Sequence, residues 1–249
     1  MRLLSYNIQV AIASSKPHHY LTQSWKHVLP HAQIYDNLDQ IASLVRNYDL
    51  VGLQEIDAGS LRTGFVNQTQ YLATQAAFPY WYYHTHRRLG KLARHSNGLL
   101  SRISPNEVTG HKLPGLLPGR GALITHFGDP ANPLVVVLLH LALGKRARMQ
   151  QLEYISEVIK NYKHVVVMGD LNCQPGSCEM EMLLERCNLI EPAAWLNTFP
   201  SWKPTRKLDH ILVTPSLEVR DVSVLHVDYS DHLPIALELA LPKRVQLAA

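Results

Sequence analysis

Several polar side chains in this sequence stand directly at the end of a short apolar run. The clearest case is the run from Val165 to Met168, which is followed by Asp170 and Asn172. An apolar, β-branched run of this length predicts a buried strand, and alternation along it lets both polar side chains face one side. A carboxylate and an amide at a strand end can grip a water, a metal ion or a phosphate; the alternative is a helix N-cap or an Asx turn.

The same placement recurs along the chain. A single glutamate after a strand is usually a solvated edge, and a single histidine there is usually part-buried with its hydrogen bonds satisfied. A whole series of such residues points instead to one shared site. The other residues placed in this way are Asn7 after the first strand, Glu55 after the second, His140 after Val135 to Leu139, Asp209 before Ile211 to Val213, and Asp231 with His232 before the last strand.

Phosphoester hydrolysis is the reaction that uses such a set. A hard cation such as Mg²⁺, or Mn²⁺ in its place, takes oxygen ligands, so Glu55, Asp231 and the amide oxygen of Asn7 would suffice to bind it. The cation would neutralise a phosphate oxygen and the charge that builds as water attacks. Histidine exchanges a proton near neutral pH and can act as general base or acid, and Asp209 is the candidate to fix the tautomer of the base.

Strands and amphipathic helices have to carry these residues. Apolar runs predict strands near 2–8, 49–55, 97–103, 121–127, 134–140, 164–169, 208–213, 218–226 and 235–240. Helical periodicity predicts helices at about 32–47, 67–77 and 145–161, and a short helix after Pro175 and Gly176. Many strands with a few helices between them predict an α/β (α+β) fold in which two mostly antiparallel sheets pack face to face with helices outside.

The composition is that of a folded chain without a membrane span. It has 249 residues, 46% hydrophobic and 18% charged, and no run approaches the ~18 apolar residues of a spanning helix. Met1 and Arg2 lead directly into a strand-like segment, which leaves no room for a signal peptide, and the three cysteines form no disulfide set or zinc motif. We therefore expect one domain over residues 1–249, monomeric and cytoplasmic, with reduced cysteines.

The net charge of +4 does not by itself indicate a nucleic-acid-binding protein. The clustering of basic residues says more, because three groups beside the polar strand ends favour an anionic substrate. Each group alone is also explained as solvated surface. In the second group we single out Arg146 as a phosphate contact. The groups are Arg87, Arg88, Lys91 and Arg94; Lys145, Arg146 and Arg148; and Lys203, Arg206 and Lys207.

Two further segments have no chemistry of their own assigned. The aromatic-rich segment from Phe78 to Tyr83 can be a platform for bases, an apolar grip for a lipid tail, or core. Core packing is favoured, because alternation in a strand would bury about half of it. The Pro- and Gly-rich segment from Leu113 to Gly121 predicts a surface loop rather than a domain linker.

Taken in order, seven segments resemble the motifs of the endonuclease/exonuclease/phosphatase superfamily, the deoxyribonuclease-I-like fold. Each motif alone is weakly specific, whereas the ordered set is specific. The resemblance implies a four-layered α/β sandwich with its active site at the strand ends of both sheets. The segments are Ser5–Ile8, Leu53–Glu55, His95–Arg102, Leu139–Leu141, Gly169–Asn172, Leu208–Ile211 and Ser230–Pro234.

The resemblance also implies a role for each matching residue. The metal would be held by Asn7, Glu55 and Asp231, and His232 would be the general base, oriented by Asp209. His140 would protonate the leaving oxygen or bind phosphate, Asp170 and Asn172 would orient the nucleophile and the phosphate, and Asn97 resembles the asparagine that lines the site in lipid-phosphodiesterase branches.

At two positions this chain differs from the branch of the family that repairs abasic sites in DNA. That branch carries an acid where this chain has Gln9 and usually a tyrosine where it has His140. A repair nuclease is therefore disfavoured. The histidine resembles the deoxyribonuclease, sphingomyelinase and inositol-phosphatase branches. The sequence offers no match to the acid that deoxyribonuclease gives its first histidine, which leaves the orientation of His140 open.

Two functions from different classes are consistent with the sequence. The first is a metal-dependent hydrolase of a phosphodiester bond in a lipid headgroup, a nucleotide or a nucleic acid. The second is a catalytically silent protein on the same fold that binds nucleic acid or another protein. The complete set of polar strand-end residues favours the enzyme. It does not separate nuclease, lipid phosphodiesterase and phosphomonoesterase, which differ in their loops.

Overall fold

Two β-sheets and four helices make up the part of the chain that the structure describes. The structure is a computed structural model, and it describes residues 1–12, 33–115 and 119–241. The strands are β1 (Arg2–Asn7), β2 (Leu50–Asp57), β3 (Tyr80–Leu89), β4 (Ala93–Ser101), β5 (Glu107–Lys112), β6 (Gly121–Phe127), β7 (Leu134–His140), β8 (His164–Asp170), β9 (Asp209–Val213), β10 (Glu218–Val224) and β11 (Ile235–Ala240). The helices are α1 (Gln33–Val45), α2 (Gln68–Gln75), α3 (Lys145–Ile159) and α4 (Cys178–Cys187).

Each sheet contains one parallel pair of strands at its centre. The first sheet has the order β10-β11-β1-β2-β4-β3 and the second the order β5-β6-β7-β8-β9. Strand β1 runs parallel to β2, and β7 runs parallel to β8, whereas all other neighbours are antiparallel. The register places Asn7 beside Gln54 and His140 beside Asp170. Parallel strands therefore deliver their polar ends to one edge of each sheet.

Three apolar layers hold the sheets and helices together. Along β1, Leu3 faces the layer between the two sheets and Leu4 faces the layer under α1 and α2. Along β7, Val136 faces the same central layer and Val137 faces the layer under α3 and α4. Since both faces of these strands are covered, their sequences are continuous apolar runs. The predicted four-layered sandwich of two mostly antiparallel sheets is confirmed.

The predicted strands and helices are all present, with ends shifted by a few residues. Two strands were missed, β3 and β5, and each lies at the edge of its sheet. Edge strands need no continuous apolar face: β3 joins four aromatic residues to histidines and arginines, and β5 consists mainly of polar, charged and small residues. Residue 32, where the first helix was predicted to begin, and residues 116–118 of the predicted surface loop lie outside the described residues.

The helices lie with one apolar face on a sheet. In α1 the buried residues include Leu38 and Ile41, and in α3 they include Leu152 and Ile155. None of the helices within the described ranges is long and apolar enough to cross a membrane. The aromatic segment predicted as core begins with the buried Phe78 and continues into half-buried residues of β3, where Trp81 packs against the layer under α1 and α2.

Gly169 lets β8 reach the site beside β7. Its φ is +143°, a conformation that residues with a Cβ rarely adopt, and a Cβ built there would lie 2.0 Å from the carbonyl oxygen of Leu139. The neighbour that would have to move is backbone in the centre of the second sheet. Gly169 therefore fixes the position of the next residue, Asp170.

We expect Gly169→Ala to lower the free energy of unfolding by at least about 3 kcal/mol, because it adds backbone strain and a backbone clash. Gly144→Ala is the matched control. A Cβ there meets nothing within 4 Å, and we expect a loss below about 1 kcal/mol. Urea unfolding followed by circular dichroism measures both. Equal losses in the two variants would contradict this account of Gly169.

Candidate active site

The predicted site residues converge where the two sheets end. Asn7 is the last residue of β1, His140 of β7 and Asp170 of β8, and Asp209 is the first residue of β9. The amide Nδ2 of Asn7 donates to Oδ2 of Asp170 at 3.1 Å and so links the first sheet to the second. His140 Nε2 lies 3.5 Å from the same carboxylate oxygen. The strand ends of both sheets thus contribute to one site.

Glu55 reaches this site through a β-bulge. The pairing of β2 with β4 shifts between Leu53 and Ile56, and Glu55 has a φ of +53°, in the left-handed region. A bulge re-aims a side chain, and strained residues of this kind occur at functional sites. The carboxylate of Glu55 lies 3.8 Å from His140 Nε2. The sequence predicted Glu55 as a strand end, whereas β2 continues for two residues beyond it.

An oxygen-rich corner forms around Glu55, Asp231 and Asn7. Burial raises the pKa of Glu55, the nearby charge of Asp231 raises it further, and His232, Arg120 and the Asn7 amide lower it. Two carboxylates this close to each other suit a hard cation, because its positive charge would offset their repulsion. The oxygen-rich corner is therefore a candidate metal site.

Gln9 belongs to the same corner and was not predicted as a site residue. Its Nε2 donates to Oδ2 of Asp231 at 3.3 Å, and its backbone N–H donates to Oδ1 of Asn7 at 3.1 Å. Its Oε1 is buried and has no hydrogen-bond partner among the described residues. Gln9 begins a short turn in which it, Val10 and Ala11 all have positive φ. No sequence signal marks this turn.

His232 is held by a buried carboxylate. Its Nδ1 donates to Oδ2 of Asp209 at 2.7 Å, and Nε2 lies 3.9 Å from Oδ2 of Asp170. Burial lowers the pKa of His232, but the carboxylates of Asp209 and Asp170 outweigh it and raise that pKa above its ordinary value. The predicted pairing of these two residues is the geometry of a general base with a fixed tautomer.

Thr198 completes this arrangement and was missed by sequence reasoning. Its hydroxyl donates to the same Asp209 oxygen at 2.6 Å and accepts from the backbone N–H groups of Leu208 and Asp209. The ring of Phe199 packs against His232 with 4.7 Å between ring centroids. Thr198 lies in a segment without regular secondary structure, so no periodicity reveals it.

Asp170 and Asn172 form a tight local unit. Oδ1 of Asp170 accepts the backbone N–H of Asn172 at 3.0 Å, which is an Asx turn, and the Asn172 side chain donates to the carbonyl oxygen of Leu141 at 2.9 Å. The Asx turn is thus real. The helix-cap interpretation is wrong, because α4 begins later, after Ser177. Burial raises the pKa of Asp170, although His232 lowers it.

Asp170, Asp209 and His232 bring three ligating atoms within 4.8 Å of one another. This geometry is that of a cluster able to hold a metal ion. However, the short hydrogen bond between His232 and Asp209 already uses one atom of each. The cluster is therefore better described as an acid–base unit facing the oxygen-rich corner.

Arg120 provides the missing neighbour of His140. Its Nη1 lies 2.8 Å from Nε2 and 3.0 Å from Nδ1 of the ring. Burial, and then the charge of Arg120 and His86, lowers the pKa of His140 well below its ordinary value. His140 is thus neutral at pH 7, and the cation beside it is Arg120. Sequence reasoning missed Arg120 because it lies inside the Pro- and Gly-rich segment predicted as a surface loop.

A cleft of about 810 Å³ opens beside these residues, between β3, β4 and the start of α3. Its charged lining consists of Glu55 and four arginines, Arg62, Arg87, Arg120 and Arg146. Arg146, predicted as a phosphate contact, therefore lines the same cleft as Glu55 and His140. The other predicted catalytic and metal-binding residues lie beside this cleft and do not line it. No aromatic ring of Phe, Tyr or Trp is found among the described residues that line it.

Asn97 lies beside this cleft. It is fully buried on β4, and its Nδ2 donates to the carbonyl oxygen of Gly121 at 2.9 Å, next to Arg120. Its Oδ1 has no hydrogen-bond partner within the described part of the chain. Asn97 does not line the cleft itself, so its role as a phosphate contact stays a prediction.

The three basic groups of the sequence have different environments. Arg87 lines the cleft, whereas Lys145 and Arg206 line a second hollow of about 480 Å³ on the other side of α3. Lys207 is buried and its Nζ lies 3.0 Å from Oε1 of Glu191. The anionic-substrate interpretation therefore rests on particular arginines and not on the groups as wholes.

Comparisons with known proteins agree with this architecture. The sequence model of the endonuclease/exonuclease/phosphatase family matches residues 4–232. No curated protein matches the sequence. Among solved structures, an endonuclease/exonuclease/phosphatase from Beutenbergia cavernae is similar with 21% identity and a TM-score of 0.77, over 98% of this chain and 72% of that chain.

Two other similar solved structures are a phosphatase with a named activity and a catalytic domain with a bound anion. A mannosyl-6-phosphatase from Bacteroides thetaiotaomicron is 19% identical, with a TM-score of 0.73 over 97% of this chain and 100% of that chain. The human nocturnin catalytic domain with a bound sulfate anion is 16% identical, with a TM-score of 0.68 over 97% of this chain and 93% of that chain. At these identities the likeness concerns the fold.

The hydroxyl of Thr198 has a testable energetic role. We expect Thr198→Val to lower the free energy of unfolding by about 1–3 kcal/mol, because it leaves a buried carboxylate and two N–H groups without their partner. Thr125→Val is the matched control, since the buried Thr125 hydroxyl has no partner among the described residues; its loss should be near zero. Urea unfolding at neutral pH compares the two. A smaller loss in Thr198→Val than in the control would refute this role.

Acid should destabilise the fold through His86 of β3, which packs closely against Gly121 of β6. Burial and Arg120 lower the pKa of His86 to about 3. The unfolded chain takes up this proton near pH 6.5, so stability present above that pH is lost as pH falls towards 3. Between about pH 7.5 and about pH 5, we expect the free energy of unfolding of His86→Gln to fall by about 1–2 kcal/mol less than that of the unmodified protein. Urea unfolding at the two pH values measures both proteins. An equal fall in the two proteins would contradict this role of His86.

Proposed function

This chain belongs to the endonuclease/exonuclease/phosphatase family, and we propose that it is a divalent-metal-dependent phosphoesterase. The observation that carries the proposal is the buried pair of His232 and Asp209, which faces Asp170 at the junction of the two sheets. A protein that only binds a partner has no need for a histidine held by a buried carboxylate in this way. The family membership supports hydrolysis of a phosphoester.

The metal in this proposal is Mg²⁺ or Mn²⁺, held by Asn7, Glu55 and Asp231. The carboxylate oxygens of Glu55 and Asp231 suit a hard cation, and Oδ1 of Asn7, which accepts the backbone N–H of Gln9, has a second lone pair for it. A bound cation would offset the charge of Asp231, which raises the pKa of Glu55. Oε1 of Gln9 has no hydrogen-bond partner among the described residues, so it could serve as a further neutral oxygen ligand. When bound, the cation supplies charge neutralisation at a phosphate oxygen.

His232 acts as the general base in this proposal. Asp209 and Thr198 fix its ring so that Nε2 faces Asp170 and the open site. The carboxylates of Asp209 and Asp170 raise the pKa of His232 above its ordinary value. The positive charge of a cation at the oxygen-rich corner would oppose this effect, so that Nε2 could accept a proton from water. Asp170 and Asn172 orient the water and the phosphate.

His140 and Arg120 bind the phosphate on the other side. The sequence left two roles for His140, and its lowered pKa favours the phosphate-binding role over proton donation. The guanidinium of Arg120, in contact with the ring, supplies the positive charge. Asn97, beside the cleft, is a further proposed contact of this phosphate. Arg146, which lines the cleft from α3, is proposed to contact phosphate elsewhere on the substrate.

The cleft supports a small phosphorylated substrate better than a nucleic acid. Its volume of about 810 Å³ lies in the range of pockets for small molecules. Single-stranded nucleic acids are usually held by stacking on aromatic rings, and the described lining has none. One structural neighbour is called a mannosyl-6-phosphatase, and its small phosphorylated substrate is in keeping with this proposal. A phosphodiester substrate remains part of the test.

We further propose that residues 1–249 act as one monomeric domain in the cytoplasm. The family match over residues 4–232 supports a single domain. The free cysteines, Cys173, Cys178 and Cys187, support a reducing compartment.

We expect the purified protein with Mg²⁺ or Mn²⁺ to hydrolyse p-nitrophenyl phosphate or bis-p-nitrophenyl phosphate. His232→Ala should lower kcat by about 100- to 10,000-fold, because it removes the general base. Release of p-nitrophenolate measures both reactions, and a panel of sugar phosphates, phospholipids, DNA and RNA then ranks the natural substrate classes.

His226→Ala, which removes an exposed histidine, is the matched control and should retain full activity. Thermal unfolding verifies that both variants fold. Full activity of His232→Ala, or of the unmodified protein in excess chelator, would sink the mechanism. A protein inactive on the entire panel but able to bind RNA or another protein would favour the catalytically silent alternative.

A further inference from the structure

Three arginines of the cleft have no carboxylate partner like those of the buried arginines. Arg62 lies 2.6 Å from a carboxylate oxygen of Asp57, and Arg148 lies 2.7 Å from one of Glu179. No described carboxylate lies within 4.0 Å of Arg87 or Arg146, which are exposed, or of Arg120, which is partly buried. The cleft thus presents guanidinium groups without an ion-pair partner on β3, on the segment before β6 and on α3.

Unpaired guanidinium groups in a concave surface favour an anion. Like charges facing one cleft repel each other, and partial burial of Arg120 adds a desolvation cost. A phosphate relieves both effects, because the planar fork of arginine matches two phosphate oxygens. The cleft therefore has more positive charge than the single phosphate at Arg120 and His140 requires.

The start of α3 adds hydrogen-bond donors to the same cleft. Its N-cap is Gly144, which offers no side-chain cap, and its first turn has no acidic residue. The first turn instead carries Lys145 and Arg146, although basic residues are unfavourable at a helix N-terminus. An anion bound here would satisfy the free N–H groups and the Arg146 side chain together.

The arginines divide into two places. Arg120 contacts His140 and belongs to the catalytic centre. Arg87 is exposed on β3, and its side chain passes close to Gly119, whereas Arg146 is exposed on the first turn of α3. Both line the cleft. Within the described residues, neither forms a hydrogen bond or an ion pair with a proposed catalytic residue. They can hold a group of the substrate that does not react.

We propose that Arg87 and Arg146 form a second anion subsite beside the start of α3, which binds a second phosphate group of a small bisphosphorylated substrate. This assignment rests on the proposed function for the place of the reacting phosphate. The arginine subsite would hold the substrate by its non-reacting end. Its distance from the catalytic centre then selects which phosphate is cleaved.

Phosphonates test this subsite without catalysis, because their carbon–phosphorus bond is not hydrolysed. We expect propane or hexane bisphosphonate to bind at least about tenfold more tightly than propylphosphonate in excess Mg²⁺, measured by isothermal titration calorimetry. Arg146→Gln and Arg87→Gln should each remove most of this advantage and leave propylphosphonate binding less affected.

The chain offers a matched control for each variant. Lys145→Gln removes the same charge from the same helix turn, but Lys145 lines the other hollow. Arg88→Gln removes the neighbouring charge of β3, which does not line the cleft. Both controls should keep the bisphosphonate advantage, and thermal unfolding confirms that all four variants fold.

The outcomes separate this inference from the proposed function. Bisphosphonates that bind no better than propylphosphonate would overturn the subsite, and so would controls that lose as much affinity as the arginine variants. A single-stranded oligonucleotide that binds more tightly than the bisphosphonates, with a steep salt dependence, would overturn the small-molecule assignment. Tight bisphosphonate binding by a protein that hydrolyses no phosphoester would support the subsite and refute the proposed function.

Discussion

The close approach of the two sheets is the constraint on which the active centre depends. A Cβ at Gly52 of β2 would lie 2.6 Å from Leu138 and 2.7 Å from Met168 of the second sheet. The missing side chain therefore lets the sheets pack tightly near their centres. At the edge, the hydrogen bond from Asn7 to Asp170 spans the same gap. The spacing of the sheets thus sets the distance between the oxygen-rich corner and the acid–base unit.

The candidate site contains strained and charged features that cost stability. Glu55 and Asn172 both have left-handed backbone conformations, and several carboxylates lie near one another. Conformations of this kind cost about 1–3 kcal/mol each. The three apolar layers, which are built from continuous β-branched and aliphatic runs, supply the compensating stability. Without the stability of these layers, the fold could not hold the site residues in this arrangement.

The sequence allowed prediction of those parts that follow from alternation and strand ends. Polar residues such as His140 and Asp170 were found because long apolar runs end at them, and the same runs defined the central strands. Arg120 and Thr198 lie within irregular segments, so their contacts depend on tertiary packing that no local pattern encodes. The edge strands β3 and β5 were missed for a related reason, since a strand with one neighbour can be polar. The bulge at Glu55 was equally invisible, although Glu55 itself was predicted.

The position of β3 at the end of its sheet has a consequence for the behaviour of the protein at high concentration. An unpaired strand edge is a template on which another chain can add a strand, and charged side chains on the edge oppose this. Arg87 and Arg88 are consecutive and exposed on β3. Arg87, which lines the cleft, and its neighbour Arg88 therefore also protect this strand edge against aggregation. A chain that lost both arginines would expose an aromatic-rich strand edge, so colloidal stability constrains the same strand as ligand binding does.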